Sequence, residues 1–135
     1  MENLTIYSDG GSRGNPGPAG IGFVIKDESG KIAKEGKKFL GEKTNNEAEY
    51  IALGLALKSA LELKVKKVTC FLDSELVVKQ LNGIYRVKEP RLAPLFSKVK
   101  ETASGFDAVT YKNIPRERNK EADKLVNEAL DENGK

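Results

Sequence analysis

The chain has 135 residues, 23 Lys+Arg against 20 Asp+Glu, one Cys and no His, for a net charge of +3. The length suits one domain with a core that needs no staples and is too short for two ordinary domains. A single Cys excludes an internal disulfide and fits a reducing compartment, while the absence of His excludes zinc fingers, Ser-His-Asp triads and Cys-His dyads, so any catalysis rests on carboxylates, Lys, Tyr, Ser/Thr or bound metal.

Leu4 to Asp9 is a short β-prone run that ends in an acid. Gly10 to Gly20 is rich in Gly and Pro and is expected to be a loop. Ile21 to Ile25 reads as a second strand, Asp27 to Gly30 as a turn, and Lys31 to Leu40 as a third strand, which together suggest an antiparallel meander. Thr44 and Glu47 then stand at capping-box spacing. Ala48, Ile51, Ala52, Leu55, Ala56 and Ser59 recur at helical period, predicting a helix from Asn45 to Leu63. Val65 to Asp73 is a strand, again ending in an acid, and Glu75 to Leu81 a short helix stopped by Asn82-Gly83. Leu92 to Ala103 forms a helix with Pro94 in its first turn, Ala108 to Ile114 a strand ended by Pro115, and Asn119 caps a last helix to Leu130. The order implies an α/β fold: a mixed five-stranded sheet, a meander of three antiparallel strands plus two parallel strands, with helices on its faces. Residues 1–130 are expected to be one domain and 131–135 a frayed tail. No apolar run approaches a membrane span, and the strand-like run after Met1 leaves no room for a signal peptide, so a cytoplasmic location is expected.

Four acids occupy telling places. Asp9 and Asp73 end strands, where ligands sit in sheets of this kind. Glu49 and Asp123 each follow an alanine of an apolar stripe, and at about 100° per residue each falls beside the apolar residue seven places on, Ala56 or Leu130. Both are thereby placed at the edge of a buried face. If the sheet brings these edges together, four carboxylates converge, and such a cluster repels itself unless it takes up cations or protons. Oxygen-only donors favour a hard cation, Mg²⁺ or Mn²⁺. Taken singly, each acid is also compatible with a solvated surface group, Glu49 with a lysine partner, and Asp123 with favourable placement at a helix N-terminus.

Tyr7-Ser8-Asp9-Gly10-Gly11-Ser12 followed by Gly14-Asn15-Pro16-Gly17 resembles the opening of type 1 ribonuclease H. Thr44-Asn45-Asn46-Glu47-Ala48-Glu49 resembles its second motif, Leu72-Asp73-Ser74 its third and Asn119-Lys120-Glu121-Ala122-Asp123 its fourth. The four come in the family's order and span almost the whole chain. The resemblance implies a ribonuclease H-like fold and an endoribonuclease that cleaves the RNA strand of RNA–DNA hybrids, leaving 5′-phosphate and 3′-hydroxyl ends. It implies that Asp9, Glu49, Asp73 and Asp123 hold two divalent ions, with Asp9 bridging and Glu49 on the side of the ribose 2′-OH. Asn15, Asn45 and Asn46 are similar to minor-groove contacts and Thr44 to a DNA-phosphate contact. The plainer alternatives are helix capping for Thr44 and Asn45 and a turn role for Asn15.

The chain departs from the family pattern in two places. Asn113 to Arg118 lacks the histidine that many members carry there. Arg116 or Arg118 could substitute only electrostatically, so a slower or differently timed reaction is expected. Asn82 to Pro94 is shorter than the basic, Trp-bearing protrusion of some members. Tyr85 is the candidate aromatic contact to the DNA strand, with Arg86, Lys88 and Arg91 as phosphate contacts; the alternative is a packed Tyr and solvated charges. No obligate protein partner or oligomer is implied, so a monomer is expected. Two other classes compete: a non-catalytic nucleic-acid-binding module on the same fold, and a nucleotide-dependent phosphotransferase. The latter needs two lobes and finds no P-loop pattern here.

Overall fold

The structure, a computed structural model, describes residues 2–133. Three strands open the chain: β1 (Asn3–Ser12), β2 (Gly17–Lys26) and β3 (Ile32–Lys43). Then follow α1 (Asn45–Leu61), β4 (Lys67–Leu72), α2 (Glu75–Leu81), α3 (Ala93–Ala103), β5 (Ala108–Asn113), a 3₁₀ turn at Arg116–Arg118 and α4 (Lys120–Asn133). The sheet order is β3-β2-β1-β4-β5. The first three strands pair antiparallel, and β4 and β5 join parallel beyond β1. This is the mixed sheet expected from the element order, with β1 at its centre.

Local chemistry explains where α1 starts. The Thr44 hydroxyl accepts from the Glu47 N–H at 3.1 Å, and the Glu47 carboxylate accepts from the Thr44 N–H at 2.9 Å. This capping box contributes about 1 kcal/mol. The buried face of α1 carries Ala48, Ala52, Ala56 and Ala60 at successive turns, with Leu53 and Leu57 beside them. An alanine every fourth residue lets the helix axis lie close to the sheet.

The expected loop from Gly10 to Gly20 is mostly strand. β1 runs on to Ser12 and β2 begins at Gly17, with Gly11 opposite Gly20 and Ser12 opposite Ala19. Only residues 13–16 turn. The glycines are there because helices press on the strands: a Cβ on Gly10 would overlap the Ala48 carbonyl of α1, and one on Gly22 would overlap the backbone of α4 at Ala122. Gly22 stands opposite Asp9 in register and Gly10 is the next residue along β1. Consecutive strand residues point to opposite faces, so α1 covers one face at Gly10 and α4 the other at Gly22.

The last helix is longer than expected. Asp131 to Asn133 are helical, not frayed, and the helix end is tied down by ion pairs from Asp131 to Arg13 and from Glu132 to Lys37, each 2.7 Å. Residues 134 and 135 lie outside the described residues. No helix among the described residues is long and apolar enough to cross a membrane.

Candidate active site

The central strand delivers the first acid. Asp9 lies on β1 beyond its parallel pairing with β4, which runs from Asn3 to Tyr7. Asp73 follows the end of β4 and caps no helix; that task falls to Ser74, whose hydroxyl accepts from the Val77 N–H. Glu49 comes from the first turns of α1, brought in by the close approach at Gly10. One carboxylate oxygen from each of Asp9, Glu49 and Asp73 lies within 4.8 Å of the others. Asp123, from the first turn of α4, lines the same cleft of about 580 Å³, along with Gly11, Arg13, Asn45, Arg116 and Asn127. All four acids singled out in the sequence therefore meet at one end of the sheet.

Their electrostatics is that of a site short of positive charge. Asp9 is 7% exposed, and its carboxyl is pushed up to about 8 by burial first, then by the charges of Asp73 and Asp123. Glu49, equally buried, is raised well above the usual carboxylate range by burial, then by Asp9 and Asp73. The Gly10 N–H pulls the other way at both. Glu49 Oε1 is buried with no hydrogen-bond partner among the described residues. An unpartnered carboxylate oxygen beside two further carboxylates is what a hard cation would satisfy, and the donor set fits such an ion. Arg116 stays 3.8 Å from Asp123 and is 80% exposed, too wet to neutralise the cluster.

The chain matches the family described as "Reverse transcriptase-like" over residues 7–129. It is 43% identical over 126 residues to "Ribonuclease HI" of Halobacterium salinarum, covering 93% of this chain and 63% of that protein. The chain belongs to the ribonuclease H family. Among solved structures, the N-terminal ribonuclease H domain of Rv2228c from Mycobacterium tuberculosis superposes with a TM-score of 0.95 at 41% identity, covering 98% of this chain and 96% of that one. The chain spans 35% of the full-length mycobacterial protein. LC11-RNase H1, solved in complex with an RNA/DNA hybrid, superposes with a TM-score of 0.91 at 46% identity, covering 96% and 97%.

The ribonuclease H residues expected to meet substrate divide into two groups. Asn15, Thr44 and Asn46 line a second cleft of about 390 Å³ with Glu89, Arg91 and Leu92. Asn45 lines the acidic cleft. Several also hold structure. Asn15 Oδ1 accepts from the Asn45 N–H at 3.0 Å, and Asn45 Oδ1 accepts from the Ser12 N–H at 2.8 Å and the Ser12 hydroxyl at 3.0 Å. Asn45 thus ties the end of β1 to α1 instead of capping the helix. Tyr85 is not packed: it is 46% exposed next to Ile84 at 65%, with the Lys79 ammonium 5.1 Å from its ring centroid. Arg116 lines the acidic cleft; Arg118 is exposed on the same 3₁₀ turn and does not. Cys70 is buried and burial raises its thiol, which leaves it no nucleophilic role.

Two features escaped the sequence reading. Asn119, expected to cap α4, turns its amide inward to Ser8 and Asp73. The strand glycines read as loop composition. Gly10→Ala tests the second: overlap with the Ala48 backbone is expected to cost about 1–3 kcal/mol and to carry Glu49 away from Asp9. Gly11→Ala is the control, since its Cβ would meet only Asn45 Oδ1, at 3.9 Å. Thermal melts and Mn²⁺ titration of both variants check this; equal, small losses in the two would remove the close-approach argument.

Proposed function

We propose that this chain is an endoribonuclease that hydrolyses the RNA strand of RNA–DNA hybrids, leaving 5′-phosphate and 3′-hydroxyl ends, with residues 1–130 acting as one domain. The observation that carries the proposal is the meeting of buried Asp9 and Glu49 with half-buried Asp73, Asp123 lining the same cleft, in a chain of the ribonuclease H family. Two Mg²⁺ ions, or Mn²⁺ in their place, would be held by these four side chains. When bound, such ions supply the charge that activates a water and stabilises the leaving 3′-oxygen.

The protein's own contribution is placement. Asp9 stands at the centre of the cluster, since the charges of Asp73 and Asp123 act on it and its own charge acts on Glu49. The burial of Asp9 and Glu49 strengthens the attraction of their charged forms for cations. Asn15, Thr44 and Asn46 line a neighbouring cleft with Arg91, and that cleft suits a strand's phosphates and 2′-hydroxyls. Exposed Tyr85 offers a stacking face for the DNA strand. Arg116, 3.8 Å from Asp123 and free on its outer side, offers charge to a scissile or departing phosphate but no proton transfer. A monomer provides every residue named.

The test is a strand-labelled cleavage assay on RNA–DNA, RNA–RNA and DNA–DNA duplexes with Mg²⁺ or Mn²⁺. Cleavage confined to the RNA strand of the hybrid, absent in EDTA, is expected. An intact hybrid with both metals would overturn the proposal, and hybrid binding without cleavage would point to a non-catalytic nucleic-acid-binding module.

A further inference from the structure

We infer that Asn119 is a positioning residue of the acidic cluster, holding the Asp73 carboxylate in register with Asp9 so that the cluster's cation affinity depends on it. Asn119 is 1% exposed and does not line the cleft. Its Nδ2 donates to the Ser8 carbonyl at 2.9 Å and to Asp73 Oδ2 at 3.1 Å. Both partners only accept, so the amide can face no other way. Ser8 immediately precedes Asp9, and the Asn119 carbonyl in turn accepts from the Asp123 N–H at 3.1 Å. One residue thus bonds to the strand at Ser8, next to Asp9, to the carboxylate of Asp73 and to the backbone of Asp123.

The surroundings show why a side-chain tether is needed at Asp73. The backbone entering that residue is already fixed, because the Leu72 carbonyl accepts from the Ile114 N–H at 2.9 Å and from Asn113 Nδ2 at 3.1 Å. What remains free is the rotation of the Asp73 side chain, and Asn119 donates to it from an amide that keeps its N–H whether or not the neighbouring carboxyls hold protons. Without that bond, repulsion within the ionised cluster, the state that takes up cations, would turn the carboxylate toward water. The alternative is that Asn119 merely starts α4. A capping asparagine would accept with its Oδ1 from the first-turn N–H groups; here Oδ1 is buried and has no partner, so the amide is kept for its donors.

The inference rests on the proposed reading of the site, but its primary readout does not need activity. Asn119→Ala, Asp73→Ala and the double variant are titrated calorimetrically with Mn²⁺ alone, and each is checked by circular dichroism and melting. Asn119→Ala is expected to weaken Mn²⁺ binding by about 10- to 100-fold with Asp73 present, and to change it little in the Asp73→Ala background. In hybrid cleavage it should lower kcat and raise the Mn²⁺ requirement while leaving KM for the hybrid unchanged. Unchanged Mn²⁺ affinity, or an equal loss in both backgrounds, would overturn the assignment. If Asn119→Ala does not fold, the same cycle with Asn119→Ser, whose hydroxyl is too short to reach both acceptors, carries the test. A wild-type chain that binds Mn²⁺ with this dependence but leaves hybrids intact would refute the proposed function and not the role of Asn119.

Discussion

Asp9→Asn is expected to lower hybrid cleavage by at least about 10³-fold while the fold persists. The size follows from what the residue would do. A carboxylate that holds cations at the reacting phosphate supports stabilisation of several kcal/mol in the transition state, and about 4 kcal/mol is about three powers of ten. The persistence of the fold follows from the same carboxyl's environment. Asp9 lies buried against Asp73 and Asp123, and its charge is unfavourable there without metal. An amide of the same shape removes that repulsion, so in EDTA the variant should melt higher than the parent. Initial rates on a labelled hybrid and melts in EDTA check both halves. A variant that cleaves within tenfold of the parent would remove Asp9 from the chemistry.

The second large effect is on stability against pH. The Asp9 carboxyl is raised from 3.8 to about 8, by burial and then by its acidic neighbours. The folded state therefore binds a proton more tightly than the unfolded chain. The resulting stabilisation is fully present below about pH 4 and is lost as pH rises through about 8. Glu49 is shifted the same way and adds to the trend. In EDTA the melting temperature should fall between pH 5 and pH 9, by roughly 10 °C given several kcal/mol across that range. Saturating Mg²⁺ should flatten or reverse the slope, because cations replace the protons and bind better as these leave. Asp9→Asn should show a shallower slope in EDTA. A metal-free melting temperature that is flat or rises with pH, in parent and variant alike, would show that the cluster is not under charge strain.

Much of the element pattern was legible in the sequence for local reasons. Thr44 and Glu47 mark the start of α1 by a capping box that needs only four residues of chain, and the box forms as expected. α2 ends where Asn82-Gly83 stops it. The meander and the later parallel strands follow from the lengths of the connections, since a short turn allows only an antiparallel return. Elsewhere composition misled. Gly10 to Gly20 looks like a loop because glycine and proline are usually punctuation. Here Gly10 and Gly22 are strand residues whose missing side chains let α1 and α4 lie against β1 and β2. No local signal separates a turn glycine from a packing glycine. Asn119 shows the same limit: its place before α4 reads as a cap, and only the neighbouring Ser8 and Asp73, distant in sequence, turn its amide inward. Tyr85 could have been packed or free, and the fold leaves it exposed.

The sequence by itself determined which groups the chemistry could use. With no histidine and one cysteine it left carboxylates, Lys, Tyr, Ser/Thr or bound metal, and it set four carboxylates at strand ends and helix edges, because strand and helix periods are local properties of the chain. Only the tertiary structure decided that these carboxylates share one cleft, that Asp9 and Glu49 are buried enough to hold protons in the absence of cations, and that Asn119 anchors Asp73. Burial and mutual repulsion depend on distances between residues up to 114 positions apart from Asp9 to Asp123, and those distances exist only once α1 and α4 have closed on the two faces of β1 and β2.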